Sequence, residues 1–249
     1  MLINKNLNKS KLVIIIPARL ESKRLSRKLL RKIQGISMIV RVAKAAKKTS
    51  LGEVCVATDS KKISNLCVKN KINFVMTETK IKSGTDRIQK AYEALGKEFD
   101  FIVNLQGDLP LFKKDLIKKT VDLFTDDNTD IATAVCDLEK NELDDRNIVK
   151  ANVNLGLDDT GYATDFVRIT KNEGSYYHHI GLYIYTPKSL KKFVELGQTK
   201  NEINRSLEQM RALDNQMKIK VVKLANNPPS VDTLKDLRKI RLLFKKNNS

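Results

Sequence analysis

The stretch whose reading decides the fold is LVIIIPARLESKRLSRK, Leu12 to Lys28. Four β-branched residues, Val13 to Ile16, have the composition and length of a strand buried on both faces, with Pro17 expected to end it. A basic loop follows, with Arg19, Lys23, Arg24, Arg27 and Lys28 within ten residues. A buried strand that delivers a polar loop at its carboxyl end is how an open α/β sheet begins, and ligands of such sheets bind outside those strand ends. Cations this dense repel one another unless an anion gathers them or they fan into water. A polyphosphate would do the first, and a solvated loop the second. The stretch contains no glycine and no Gly-x-x-x-x-Gly-Lys, so any phosphate bound here would be held by side chains rather than by a cradle of backbone amides.

The alternation continues downstream. Met38, Ile39, Val42, Ala45 and Ala46 recur at helical spacing, Glu53–Thr58 reads as a second buried strand, and Asp59 or Ser60 can cap a helix carrying Ile63, Leu66, Cys67 and Val68. A short third strand at Asn73–Met76 completes the pattern of a parallel sheet with right-handed crossovers. Ser83-Gly84-Thr85-Asp86-Arg87 opens a helix through Ile88, Ala91, Tyr92 and Leu95; its hydroxyls and free amides suit a base edge or a phosphate, or serve only as a cap. The next strand, 99–105, ends in Gln106-Gly107-Asp108-Leu109-Pro110. An acid in a sharp reversal at a strand's carboxyl end can hold a hard cation, or can be a turn residue.

Beyond a helix at 113–124 and a strand at 131–135, the intervening helices disappear. Segments 148–157, 163–169 and 179–186 read as strands, which predicts an antiparallel lobe. Helices are expected at 188–196, after Pro187, and at 203–213. A strand at 218–224 precedes a final helix with Leu234, Leu237, Ile240 and Leu243 on its buried side. Residues 1–10 read as a flexible lead-in, and 11–249 as a single domain with a lobe at about 145–215.

The chain has 249 residues, 41% of them apolar, enough for a real core. No apolar run approaches the roughly 20 residues that span a bilayer, and Val13 to Ile16 is too short for a signal-peptide core, so a cytoplasmic protein without membrane contact is expected. Cys55, Cys67 and Cys136 lack metal-ligand spacing and read as reduced core residues. The formal charge is +18, and residues 1–50 hold nine Lys and five Arg against one acid. That imbalance invites nucleic acid, but there is no Trp, zinc finger or RNP motif to supply stacking platforms, so nucleic acid is not the expected partner. No Ser/His/Asp order and no HExxH is present. His179, one of two histidines, begins an apolar strand, where a structural role is as natural as a functional one.

Taken together, IIPAR at 15–19, SKRL with Lys28, ATD at 57–59, SGTDR at 83–87, NLQGD at 104–108, HIGLYIY at 179–185, LEQMRAL at 207–213 and VDT at 231–233 resemble the 3-deoxy-manno-octulosonate (Kdo) cytidylyltransferase family, the CMP-Kdo synthetases. The matches run almost the whole length in the family's order. The resemblance implies a Rossmann-like nucleotidyltransferase fold, mostly parallel and flanked by helices, in which the anomeric hydroxyl of a 2-keto sugar acid attacks the α-phosphorus of CTP and displaces pyrophosphate. It implies that Arg19, Arg24 and Lys28 hold the triphosphate, with Pro17, Ala18, Ala57, Ser83, Gly84, Thr85 and Arg87 around the cytidine. Asp108 and Asp232 would bind Mg²⁺, and Arg19, Lys28, Asp108 and Asp232 would carry catalysis. Gln106, Arg168, His179, Tyr183, Glu208 and Gln209 would shape the sugar site, and the protein would be a homodimer. Another acidic sugar, such as a nonulosonate or amino-Kdo, or a non-catalytic basic binding or regulatory role on the same fold, are the alternatives. The family's loop usually reads RLPGKPL, where this chain has RLSRKLL; QGDEP has become QGDLP, and the loop before HIGLY is a shorter 170–177.

Overall fold

A computed structural model describes residues 11–21, 24–81, 83–125, 128–170 and 174–246. The expected lead-in at 1–10 and Lys23 lie outside these residues. The first strand, β1 (Leu12–Ala18), is followed by a 3₁₀ turn at Lys28–Leu30, a ribbon of β2 (Lys32–Ile33) and β3 (Ile36–Ser37), and α1 (Met38–Lys48). Next come β4 (Glu53–Thr58), α2 (Lys61–Lys69), β5 (Asn73–Met76), α3 (Gly84–Leu95), β6 (Phe101–Leu105) and α4 (Lys114–Val121). Strands β7 (Ile131–Cys136), β8 (Lys150–Leu155), β9 (Thr160–Val167) and β10 (Tyr176–Tyr185) then run without a helix longer than one 3₁₀ turn between them. Helices α5 (Pro187–Glu195), α6 (Lys200–Arg205) and α7 (Met210–Asp214), strand β11 (Ile219–Lys223) and α8 (Leu234–Lys246) complete the chain.

Two compact units result. One comprises Leu12–Glu98, Asn104–Lys114 and the segment from Pro228; the other contains Phe99–Val103 and Asp115–Asn227. In the first unit β5, β4 and β1 are neighbours, all parallel, with Val13 to Ile16 fully buried. α1 packs on β4 and α3 on β1, giving the expected strand–helix alternation. In the second unit β7 pairs with β11 in parallel, while the β10–β7, β10–β8, β11–β9 and β8–β9 pairs are antiparallel. The chain is thus α/β with an antiparallel part where the helices drop out.

Four local expectations are corrected. Pro17 lies inside β1, opposite Ala57: at the next-to-last position its missing N–H removes only one ladder bond. Val68 is exposed because five residues after Ile63 it has turned off the stripe of Ile63 and Cys67. Leu234 shares the spacing of Leu237 and Ile240, but it stands at the first helical residue and is exposed. The single helix at 203–213 is two, because Ser206 takes a left-handed conformation (φ 53°) and ends α6. The β2–β3 ribbon is an addition. Gln34 and Gly35, both at positive φ, form the two-residue turn whose twist suits a hairpin.

Candidate active site

The basic loop is pinned by its apolar residues. Leu25 and Leu29 are buried between exposed Arg24, Ser26 and Arg27, and Arg31 Nε ties back to the Ser26 carbonyl at 3.2 Å. Arg27 stands at φ 52°, in the left-handed region, at the position where the family pattern has glycine. The Gly107 turn closes on this loop: a Cβ there would meet Leu29 Cδ2 at 3.0 Å. Leu109, the residue that replaces an acid in QGDLP, is buried.

Lys28 is the hub of the loop. Its Nζ donates to Asp108 Oδ2 at 2.6 Å and to Asp232 Oδ1 at 3.0 Å, and Arg24 Nη2 donates to the same Asp232 oxygen at 2.8 Å. Burial works against the ammonium, but the two carboxylates outweigh it, so its pKa lies above the ordinary lysine value. The carboxylates are set by backbone. Val231 N–H donates to the Asp108 carbonyl at 3.0 Å, and Asp236, in the first turn of α8, accepts from the amides of Asp232 and Thr233 while Thr233 Oγ1 accepts from Asp236 N. This is a capping box that fixes the VDT segment. Arg19, just past β1, is exposed and has no ion pair or hydrogen bond among the described residues.

At the start of α3, Ser83 is the cap, its Oγ accepting from Asp86 N at 3.0 Å. Gly84 lies beside the Pro17 ring, with a Cβ position 3.8 Å from Pro17 Cγ. Ala18 and Ala57 are buried, and Thr85 Oγ1 accepts from buried Asn104 Nδ2 at 3.4 Å. Gln106 Nε2 donates to Asn104 Oδ1 at 2.9 Å, so it is joined to the α3 start through Asn104. Arg87 is buried and committed. It donates to Asp59 Oδ2 at 2.9 Å, to Thr77 Oγ1 and to the Glu78 carbonyl, tying the end of β4 to the residues after β5. The motifs ATD and NLQGD mark Asp59 and Asn104, but not that Asp59 pairs with Arg87, 28 residues on, or Asn104 with Thr85, 19 residues back.

The remaining expected residues belong to the other unit. In β10, Ile180 faces Ala134 but Tyr183 faces Thr133, so Gly181 and Leu182 are a two-residue bulge. In a regular strand, residues four apart are about 13 Å apart. The bulge instead brings the His179 and Tyr183 rings to 5.3 Å, with Phe166 edge-on to His179 at 5.1 Å. Thus the HIGLY motif encodes a contact that its spacing hides. Burial, with His178 beside it, pulls the His179 pKa down to about 3, and burial also raises that of Tyr183. Arg168 donates to the carbonyls of Arg146, Arg205 and Ser206 at 2.9, 3.3 and 3.2 Å. Its own carbonyl, with that of Asp145, accepts from fully buried Lys150 Nζ. Gln209 is buried and Glu208 half-buried at the start of α7. The same motif contributes Arg211, which forms a buried two-bond pair with Glu202 at 2.7 and 2.9 Å and lies 4.8 Å over the Phe193 ring.

Residues 13–219 match the cytidylyltransferase family model. The chain belongs to the cytidylyltransferase family. Relatives named 3-deoxy-manno-octulosonate cytidylyltransferase include that of Bartonella bacilliformis, 40% identical over 93% of this chain and 98% of the relative, and that of Rickettsia akari, 35% identical over 91% and 92%. Among solved structures, a CMP:2-keto-3-deoxy-manno-octonic acid synthetase complexed with CTP superposes with a TM-score of 0.84 at 30% identity, covering 96% of this chain and all of that one. A UDP-glucose pyrophosphorylase shares the fold alone, with a TM-score of 0.69 at 13% identity over 95% of this chain and 99% of the other.

In this cytidylyltransferase, the acids that converge on Lys28 are Asp108 and Asp232, and no group of three or more His, Cys, Asp or Glu among the described residues could hold a metal alone. Two carboxylate oxygens meeting at one cationic position form a hard donor set that suits Mg²⁺, provided phosphates and water complete the coordination. No described helix is long and apolar enough to cross a membrane.

Proposed function

We propose that the protein transfers CMP from CTP to the anomeric hydroxyl of a Kdo-like 2-keto sugar acid and releases pyrophosphate. The observation that carries this reading is the convergence of Asp108 and Asp232 on Lys28 Nζ, beside Arg24, at the carboxyl end of a strand. Phosphoryl transfer asks for positioning and charge neutralisation rather than for a covalent nucleophile. Arg19, Arg24 and Lys28 supply cations for the triphosphate. Lys28, with three N–H donors, can turn one from a carboxylate to a phosphate oxygen. Mg²⁺ held by Asp108 and Asp232 would neutralise phosphate charge and lower the pKa of the attacking hydroxyl.

Pro17, Ala18, Ala57, Ser83, Gly84 and Thr85 frame the cytidine. Arg87 contributes by holding Asp59 and the segment after β5 in place. Gln106, His179, Tyr183, Glu208 and Gln209 read the sugar acid. Arg168 meets its carboxylate by exchanging one of its carbonyl partners for a carboxylate oxygen. In this reading the protein is a cytoplasmic homodimer, which sedimentation and cell fractionation check.

The test is pyrophosphate release from CTP, Mg²⁺ and Kdo, with the CMP-sugar identified as product. Release that needs all three and is lost in Asp108→Asn is expected. No release with Kdo or its amino analogue, together with Mg²⁺-dependent CTP binding unchanged in Asp108→Asn, would overturn the reading.

A further inference from the structure

The bulge in β10 is closed by one hydroxyl. Thr133 Oγ1 lies 2.7 Å from the Leu182 carbonyl oxygen and 3.0 Å from His179 Nε2, with the Ile180 carbonyl at 3.5 Å. A threonine hydroxyl has a single proton. Were it donated to the imidazole, Oγ1 and the Leu182 carbonyl would face each other at 2.7 Å as two acceptors with no proton between them. The proton therefore goes to Leu182, and Oγ1 accepts from His179. The imidazole must then carry its hydrogen on Nε2, which leaves Nδ1 as a lone-pair acceptor with no hydrogen-bond partner among the described residues. The packing of Phe166 and Tyr183 against the ring holds the same orientation, and burial keeps the ring neutral.

We propose that Thr133 is a positioning residue that locks His179 as the Nε2–H tautomer, so that Nδ1 is an obligate acceptor and His179 reads a hydroxyl of the sugar acid, not its carboxylate. A carboxylate offers only lone pairs and would be repelled by Nδ1, whereas a hydroxyl can donate to it. The sugar half of this inference rests on the proposed function; the tautomer half does not. Nothing in the local sequence marks Thr133, which is one polar residue in the apolar strand IATAVC.

The test combines ¹⁵N imidazole NMR of the ligand-free protein with steady-state kinetics. Wild type is expected to show Nε2 protonated and Nδ1 unprotonated at His179. Thr133→Val, which keeps the shape and loses the hydroxyl, is expected to give mixed tautomers and a KM for the sugar acid raised about tenfold with the KM for CTP unchanged. Thr133→Ser should restore both. A wild-type ring protonated on Nδ1, or a Thr133→Val protein with unchanged tautomer and sugar KM, would overturn the proposal. A wild-type ring protonated on Nδ1 overturns the proposal even if the valine variant does not fold, and Thr133→Ala then serves as the second hydroxyl-free variant. A wild type that turns over no sugar acid while its Nε2–H ring gives way to mixed tautomers in Thr133→Val would count against the proposed function and uphold the tautomer lock.

Discussion

The ammonium of Lys28 donates to Asp108 at 2.6 Å, joining two loops 80 residues apart, and the same nitrogen reaches Asp232. Removing a carboxylate should therefore act on chemistry more than on folding. Asp108→Asn is expected to lower turnover by about a hundredfold or more, read as pyrophosphate release, with a smaller effect on the melting temperature. Lys28→Met should raise the KM for CTP. Because the Lys28 pKa is raised in the folded state, its stabilising contribution is complete below the ordinary value of 10.5 and is lost as pH rises through the higher folded value. The stability gap between wild type and Lys28→Met should therefore be flat near neutrality and close only at strongly alkaline pH.

Arg27 holds a left-handed backbone with a side chain attached, which costs about 1 kcal/mol relative to glycine in the same conformation. Part of that is offset by the greater freedom of glycine when unfolded. Arg27→Gly is accordingly expected to leave the loop folded and to match or exceed wild-type stability in urea melts, whereas Arg27→Val should fall below both.

The ion pair of Arg87 with Asp59 is nearly solvent-free, with side-chain exposures of 4% and 13%. Removing one partner strands the other, at a cost of about 3 kcal/mol. Arg87→Met should show this loss in the ligand-free protein by chemical denaturation. An Arg87 whose role is direct contact with the nucleotide would instead lose CTP affinity at unchanged stability.

Glu202 is paired with Arg211 by two hydrogen bonds. Burial opposes its charge, but the bonds from Arg211, Gln198 and Thr199 prevail, and its pKa is lowered. A depressed carboxyl stabilises the fold above its ordinary value of 4.5 and loses that contribution as pH falls through the lower folded value. Glu202→Gln should thus cost about 3 kcal/mol near pH 7, and the difference from wild type should shrink in melts taken below pH 4.5.

The buried elements were legible because burial and periodicity carry the same information there: Val13 to Ile16, Glu53–Thr58 and the α3 start fell where their patterns put them. Misreadings occurred where backbone conformation or long-range pairing decides. Ser206 breaks a helix whose apolar spacing runs on, and Pro17 sits in a strand it was expected to end. Asp108, Asp232 and Lys28 were legible one by one, from the kind of loop each occupies and from the family pattern. That the three share one site came from the family pattern alone, and the direct pairing of Lys28 with both carboxylates came from neither, since nothing in a linear order says that residues 28, 108 and 232 touch. The two-residue bulge is the sharpest case. HIGLY was recognised as a motif, but its spacing puts His179 and Tyr183 far apart, and only the pairing with β7 brings the rings together.

The hydrogen bond from Val231 N–H to the Asp108 carbonyl also has a consequence for biosynthesis. Until residue 232 has been synthesised, Lys28 has only one carboxylate to meet. Its second partner arrives with residue 232, and the helix cap that orients it arrives four residues later. The protein therefore cannot assemble its paired carboxylates until most of the polypeptide has been made, and a product truncated before residue 232 would carry the basic loop yet lack half of the acid pair.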